Sequence, residues 1–522
     1  MRCTRLLVAL LALAFACGAQ AKTFRYADQG DVVSMDPYML NESLLLNFTG
    51  NVYEALVGRG KKLELEPELA TAWKQTSPTV WRFDLRQGVT FQDGTPFTAD
   101  DVIFSWQRAQ GAGSDIKSYV GEITEIRKID DHTIDIVTQA PLPILPDVIS
   151  QWRIMSKAWC EKNNAIQPSD VRKGIENYAS NHANGTGPFM LKERQPGVKT
   201  VLVPNPHWWG KVEHNVTEAV FTPIANPATR VAALVSGEID MMEPVPLQDI
   251  ARLKADPNLK ILQGPELRTI FLGMDQHRDE LLYSNVKGRN PFKDVRVRHA
   301  FYVAIDENAI KTSIMRGAAT PTALMVAPGI RGFDAKLNTR YPYDPKLAKK
   351  LLAEAGYPSG FEVRMNCPND RYVNDAQICQ AVAAMLAKVD VKIDLVAEPK
   401  ATYFPKILKR DTSFYLLGWT PASYDSQNPL FALMSTPGPG GQGQFNLGWY
   451  SNKRVDELTK LIASETDQKK RQAMISEAFE IHKVEFGHIP LHQQALAWGM
   501  KKTVHLVQLP DNFNYLRWVH ID

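Results

Sequence analysis

The sequence predicts an α/β protein of several domains. Three observations carry that expectation. The chain has 522 residues, more than one hydrophobic core ordinarily organises. Gly360 to Met365 reads as a strand, Ala376 to Lys388 as an amphipathic helix and Val391 to Val396 as the next strand, which is the pattern of a βαβ unit. Residues 69–108, LATAWKQTSPTVWRFDLRQGVTFQDGTPFTADDVIFSWQR, read as strand, turn, strand, helix. In that stretch Trp81, Phe83 and Leu85 alternate with Arg82, Asp84 and Arg86, so one face is buried. Gln87-Gly88 and Asp93-Gly94 are turn signals, since glycine accepts the positive φ of tight hairpins. Thr98 is a helix N-cap, with Asp100 and Asp101 in the first turn where carboxylates suit the helix dipole. Val102, Ile103 and Trp106 form one apolar helix face.

The remaining elements follow in order. Thr23 to Ala27 is a short strand, followed by the loop Ser34-Met35-Asp36-Pro37-Tyr38 and a helix from about Ser43 to Leu56. Thr133 to Thr138 alternates like a strand. Asn184 to Phe189 carries the Gly and Pro of a boundary turn. Thr229 to Gly237 is a helix, with Ile239-Asp240 in the strand after it. Val295, Val297, Ala300, Phe301 and Ala304 make the apolar side of another helix, and Asp306 caps the one that follows. Tyr343-Asp344-Pro345 opens the helix Lys346 to Ala355, which Gly356 stops. Phe414 to Leu417 is a strand, and Val455 to Ala463 and Lys469 to Val484 are helices. The Gly-rich tract STPGPGGQGQ at 435–444 reads as a flexible surface loop.

Composition and address narrow the function. Apolar content of 44% and charged content of 22% are those of a globular protein. A net charge of +3 with dispersed basic residues gives no reason to expect nucleic acid as a partner. Arg2 and Arg5 precede an apolar run, Leu6 to Cys17, too short to span a bilayer, and Ala19-Gln20-Ala21 is a small-x-small cleavage site. Residues 1–21 are therefore a signal peptide, and the mature chain begins at Lys22. The alternative, a lipoprotein anchored through Cys17, is disfavoured because Ala14-Phe15-Ala16 is a poor lipobox. No later stretch is long and apolar enough to cross a membrane. Export permits disulfides. Cys367 and Cys379 are the natural pair, closing a short loop and leaving Cys160 as a buried thiol, although three cysteines allow three pairings.

WRFDLR-x-GV-x-F-x-DG-x-PFTA-x-DV-x-FS, preceded by Trp73, resembles the signature of the peptide-binding family of extracytoplasmic solute receptors. These proteins feed ABC importers with di- and oligopeptides, nickel complexes and some sugars. GTGPFMLKERQPG followed by NPHWWG, then ALVSGEIDMM, then NPFKDVRVRHAFYVAIDENAI are similar to further motifs of that family, and the resemblance covers nearly the whole mature chain. It implies a two-lobed periplasmic-binding-protein fold (class II-like) with an extra α+β domain on the first lobe. The implied division is 22–55, 186–277 and 494–522 for the first lobe, 56–185 for the extra domain and 278–493 for the second lobe. It also implies a periplasmic, monomeric receptor that binds peptides reversibly in the interlobe cleft and hands them to the permease and ATPase components of an importer. No cofactor is expected.

Candidate ligand residues come from the same resemblance and from position. Trp419 to Asn428, WTPASYDSQN, follows a strand, and ligands of open α/β sheets sit beyond the carboxyl ends of strands. Dipeptide-binding members read Trp-Thr-Gly-Asp there, with the Asp gripping the peptide ammonium. Here the aligned residue is Ala422, so a free peptide N-terminus is not expected to be required. Asp425 and Asn428 match later family positions; Asp425 as a ligand contact and Asp425 as a helix cap are both open. Arg371, in PNDRYVND, resembles the family arginine that contacts the ligand's C-terminus, and its guanidinium suits a carboxylate; an exposed structural role is equally open. Tyr372, Trp419 and Tyr424 either line the pocket or fill core. Met35 lies in the opening loop that resembles the ligand-facing loop. GxSxG, Walker A, HExxH and paired-cysteine motifs are missing, so no catalytic residues are expected and a secreted hydrolase is disfavoured. A nickel or metallophore receptor of the same fold is the alternative. Its sequence support is His482, His488 and His492, but Pro490 interrupts any helix that would align them, and bonds to backbone or solvent are expected instead.

Overall fold

The computed structural model describes residues 21–522, so the expected signal peptide and the Cys17 alternative lie outside the described residues, Ala21 excepted. The described chain opens with β1 (Thr23–Asp28) and helix α1 (Ser43–Thr49). The expected continuation of α1 to Leu56 does not form. Asn51 turns its side chain back to Asn47 O and accepts the Leu516 N–H, which ties this point to the C-terminal segment.

Strands β2 (Ala70–Ser77), β3 (Val80–Leu85), β4 (Ile123–Asp130) and β5 (Thr133–Thr138) make an antiparallel sheet in the order β2-β3-β5-β4. Its cause is the alternation of apolar and charged residues. Phe83 and Leu85 are buried, whereas Arg82 points outward and grips Asp135 across the β3–β5 pair through two bonds of 2.7 and 2.8 Å. Helix α2 (Ala99–Ala109) begins with a reciprocal cap: Thr98 accepts from the first turn and the Thr98 N–H donates to Asp101 Oδ2 at 2.9 Å.

The main sheet takes β6 (Phe189–Gln195), β7 (Lys199–Pro204) and β8 (Glu218–Pro223), then helix α3 (Pro227–Ser236), β9 (Met241–Glu243) and the long β10 (Leu259–Met274). After helix α4 (Pro345–Glu354) come β11 (Glu362–Pro368), helix α5 (Asp375–Ala387), β12 (Lys392–Glu398) and β13 (Phe414–Trp419). Helices α6 (Lys453–Ser464) and α7 (Gln468–Val484) precede β14 (Ile489–Lys501). The order is β12-β11-β13-β10-β14-β9-β1-β8-β7-β6. The parallel β11–α5–β12 unit is the predicted βαβ crossover. Cys367 on β11 and Cys379 on α5 are joined by a disulfide, and Cys160 is a buried free thiol.

Antiparallel β10 and β14 form a ribbon common to both halves of the sheet. Leu259–Pro265 pair with Lys501–Ala495, and Thr269–Leu272 pair with Gln493–Ile489; the register shifts between Pro265 and Thr269. Glu266, Leu267 and Arg268 therefore lie where the ladder is interrupted, as at a β-bulge that re-aims side chains. The Leu267 N–H goes instead to Pro510 O, which brings the C-terminal segment beside the break.

One core packs β1 and its neighbours together with the small sheet and the end of the chain, including Leu516 and Val519. Another packs the β11–α5–β12 region. A third joins Met39, Leu40 and Leu45 to Phe404, Leu417 and Trp419, so the halves are closed on one another. The Gly-rich tract lies at the surface at residues 438–440, as its composition suggested, but it also makes a close contact. It packs against residues 118–121, so closely that a methyl group on Gly121 would lie 1.7 Å from Gly440 O.

Candidate ligand-binding site

Between the closed halves lies a narrow cavity, partly open to solvent. One side is the start of α1 and the C-terminal segment: Asn41, Glu42, Ser43, Asp511 and Phe513. The other is the end of β13 and the loop beyond it: Leu417, Trp419, Thr420, Ala422 and Tyr424. Arg268 from the strand break and Arg371 with Tyr372 close the floor. Much of the lining is apolar, with a few convergent polar groups, as small-ligand sites usually are.

The floor is an array of paired charges. Glu42 accepts from the N–H groups of Leu44 and Leu45 at 3.2 and 3.1 Å, capping α1. Its Oε1 lies 2.5 Å from Arg371 Nε and its Oε2 lies 3.5 Å from Lys400 Nζ. Burial opposes ionisation of Glu42, but the two cations and two helix N–H groups prevail and pull its pKa down to about 2. Arg268 pairs with Glu266 at 2.8 Å and donates to Ser43 Oγ at 3.3 Å. The Nη groups of Arg371 donate to nothing among the described residues, and the residue lines the cavity.

Asp511 is a second feature of the lining. Tyr424 Oη donates to it at 2.6 Å and the Phe513 N–H at 3.0 Å. Burial pushes the Asp511 carboxyl up to about 6 in spite of those bonds. Two donors on the cavity wall, Asn41 Nδ2 and Thr420 Oγ1, have no protein acceptor among the described residues.

The structure divides the residues singled out from the sequence. Arg371, Tyr372, Trp419, Ala422 and Tyr424 all line the cavity. Tyr372 Oη accepts the Gly418 N–H at 2.9 Å, and Trp419 leans on Phe445 at 4.8 Å. Asp425, Asn428 and Met35 do not line it. Asp425 is fully buried, accepts the Gln427 N–H at 2.8 Å and takes two bonds from Arg471 at 2.9 and 2.7 Å, so its carboxylate is spent inside the fold. Asn428 accepts from Trp419 Nε1 at 2.9 Å and orients that ring from behind. Met35 is fully buried in the first core and its N–H is bonded to Ser180 O, while the cavity is faced by residues 40–43 further along the same loop. The three histidines do not converge. His482 and His488 bond to each other at 2.9 Å, and His492 bonds to Glu307 at 2.6 Å. These partners are side chains, where backbone or solvent was expected. No residue of the 69–108 stretch lines the cavity.

Glu42, Arg268, Lys400 and Asp511 were missed in the sequence. None sits in a recognisable motif, and Arg268 faces the cleft only because the ladder breaks there.

The chain matches bacterial extracellular solute-binding proteins, family 5 Middle, over residues 64–441. It is 25% identical over 504 residues to the glutathione-binding protein GsiB of Escherichia coli O157:H7, covering 94% of this chain and 93% of the relative. It is 26% identical over 536 residues to heme-binding protein A of Haemophilus influenzae, covering 96% and 92%. Among solved structures, the ABC transporter-associated periplasmic binding protein DppA from Helicobacter pylori, in complex with peptide STSA, superposes with a TM-score of 0.84 at 25% identity, over 96% of this chain and 98% of that one.

Proposed function

The chain belongs to the bacterial extracellular solute-binding proteins of family 5, and from that premise we propose that it is the peptide receptor of an ABC importer. It binds short peptides reversibly, makes and breaks no covalent bond, and presents the closed, loaded form to the permease and ATPase components. In this reading the protein is exported, cleaved after Ala21 and works as a periplasmic monomer. Among the described residues no helix is long and apolar enough to cross a membrane. Residues 22–55, 186–277 and 494–522 make one lobe, 278–493 the other and 56–185 the extra domain; the lobes hinge where β10 and β14 shift register.

The observation that carries the peptide reading is the pairing of unlike ends in one enclosed space. Arg371 offers two unsatisfied Nη groups, and Asp511 offers a carboxyl. A peptide carboxylate on Arg371 forms charge-assisted bonds with a group the protein leaves open. The unpartnered Asn41 Nδ2 and Thr420 Oγ1 suit peptide carbonyls, and the Trp419–Phe445 wall suits apolar side chains. Ala422 presents no carboxylate, so any hold on a ligand ammonium falls to Asp511. Contact with both halves stabilises the closed state, because only that state touches the ligand on two sides.

The test is titration calorimetry of tripeptides with free, amidated or acetylated ends. Arg371→Ala should weaken free-carboxylate peptides by about 2–5 kcal/mol more than amidated ones, since loss of the Glu42 partner weakens closure around both alike. Asp511→Asn should erase any preference for free over acetylated N-termini. Equal affinity of wild type and Arg371→Ala for every peptide would overturn the assignment of the carboxylate end.

A further inference from the structure

Beyond the charged floor lies another, smaller compartment, partly open to solvent. Arg268 and Arg371 line both spaces and so form the partition between them. The far side is lined by Asp28, Glu243, Gln494, Ala495 and Asn512. The ionic accounting across the partition is uneven. Arg268 has Glu266, and Arg371 and Lys400 share Glu42. Arg230, the next cation, gives its Nη groups to the carbonyls of Ile224, Ala225 and Pro244.

Two carboxyls are in ion-pair contact with none of these cations, although Arg230 acts on both and Lys400 on Asp28 from further away. Asp28 accepts only the Gly30 N–H, at 2.8 Å. Glu243 is 4% exposed and accepts no hydrogen bond among the described residues; its Oε2 is wholly buried and unpartnered. Neither has a cation within salt-bridge distance among the described residues. A buried acid without a donor is disfavoured in either protonation state, because it has lost its water and gained nothing in return. Burial, with Asp28 and Glu266 nearby, pushes the Glu243 carboxyl well above the usual carboxylate range. An arriving ammonium or guanidinium satisfies both leftover carboxyls at once.

We infer that this compartment is a specificity subsite for a basic side chain at the carboxyl end of the ligand, with Glu243 as the residue that receives its cationic head. The inference rests on the peptide reading proposed for the main cavity. With the terminal carboxylate on Arg371 at the partition, the last side chain of the peptide points toward the far space. A lysine or arginine is long enough to carry its charge past the arginines, of which Arg268 is paired with Glu266 and Arg371 with Glu42. Gln494 and Asn512 on the same wall already accept from the Val373 N–H and from Trp498 Nε1 through their amide oxygens, so the carboxyls are the free acceptors of this compartment.

The test compares Ala-Ala-Lys with Ala-Ala-norleucine, which have side chains of similar length with and without charge, by calorimetry on the full mature chain. Wild type should prefer the lysine peptide by about tenfold or more. Glu243→Gln, which keeps the shape, should abolish that preference and change the norleucine affinity little. Ala495→Leu fills the compartment without altering charge. It should weaken both long-chain peptides and spare Ala-Ala-Ala. A wild type without preference, or a preference that survives in Glu243→Gln, overturns the subsite while peptide binding itself stands. Failure of all three peptides to bind overturns the subsite and the peptide reading together.

Discussion

At the floor of the cleft the two halves meet through buried charge; at residues 118–121 and 440–441 of its rim they meet through bare backbone. Glu42, at the start of α1, is 5% exposed and reaches across to Arg371 and Lys400, more than 300 positions further along the chain. At the rim, a methyl on Gly121 would lie 1.7 Å from Gly440 O, and one on Gly441 would lie 2.5 Å from Ser118 N. Gly121 has an ordinary φ of −64°, so space and not backbone conformation is what demands glycine there. The two contacts fail differently. A charge contact tolerates opening, because water solvates the separated ions, but it does not tolerate loss of one partner while closed. A backbone contact has no partner to lose, but one added carbon holds it apart.

The largest effect is expected from Glu42→Gln, which keeps an acceptor for the α1 N–H groups but strands two buried cations. The closed protein should lose about 3–5 kcal/mol, read by denaturant unfolding. A loss below about 1 kcal/mol would show that the floor is wetter than its burial implies. Gly121→Ala should cost about 1–3 kcal/mol, and it should appear as weaker peptide affinity and a larger scattering radius of the loaded form, not as a lower unfolding midpoint. If the midpoint falls as far as in Glu42→Gln, the distinction between floor and rim collapses.

Asp511 sharpens the comparison through pH. Its folded value of about 6 lies above the ordinary 3.8, so the native state favours the protonated acid. The stability this contributes is complete below about pH 4 and is lost as pH rises through 6. Asp511→Asn should flatten that part of the stability profile, and an unchanged slope would place the titrating group elsewhere. The smallest effect belongs to Arg331→Ala. Arg331 pairs with Asp147 at 3.1 Å at the rim, but its side chain is 46% exposed. It should cost no more than about 1 kcal/mol and fade with salt. A larger loss would make the rim an electrostatic contact after all.

How much of the site is legible in the sequence depends on how far apart the interacting residues lie in the chain. The run from Trp419 to Asn428 is a candidate for the cleft because it follows a strand end, which is a local property, and Trp419, Ala422 and Tyr424 of that run do line the cavity. Asp425 and Asn428 come from the same run, yet they turn inward: Asp425 caps Gln427 and grips Arg471, and Asn428 supports the Trp419 ring. The signature at 69–108 announced the family and lies away from the cavity. Loop composition placed 435–444 at the surface but did not reveal that glycine there also serves a close approach.

By itself the sequence determined the strands of period two, the Thr98 cap and the Asp93-Gly94 turn, and it favoured Cys367–Cys379 among three possible cysteine pairings. These rest on dihedral preference, side-chain alternation and hydrogen bonds between residues a few positions apart, which act wherever the segment lies. Only the tertiary structure decided that Glu42 meets Arg371, that Asp511 faces the ligand space and that Glu243 is left without a partner. Ion pairing and desolvation depend on separation in space and on exclusion of water, and neither quantity exists until the β10–β14 ribbon has brought distant segments together.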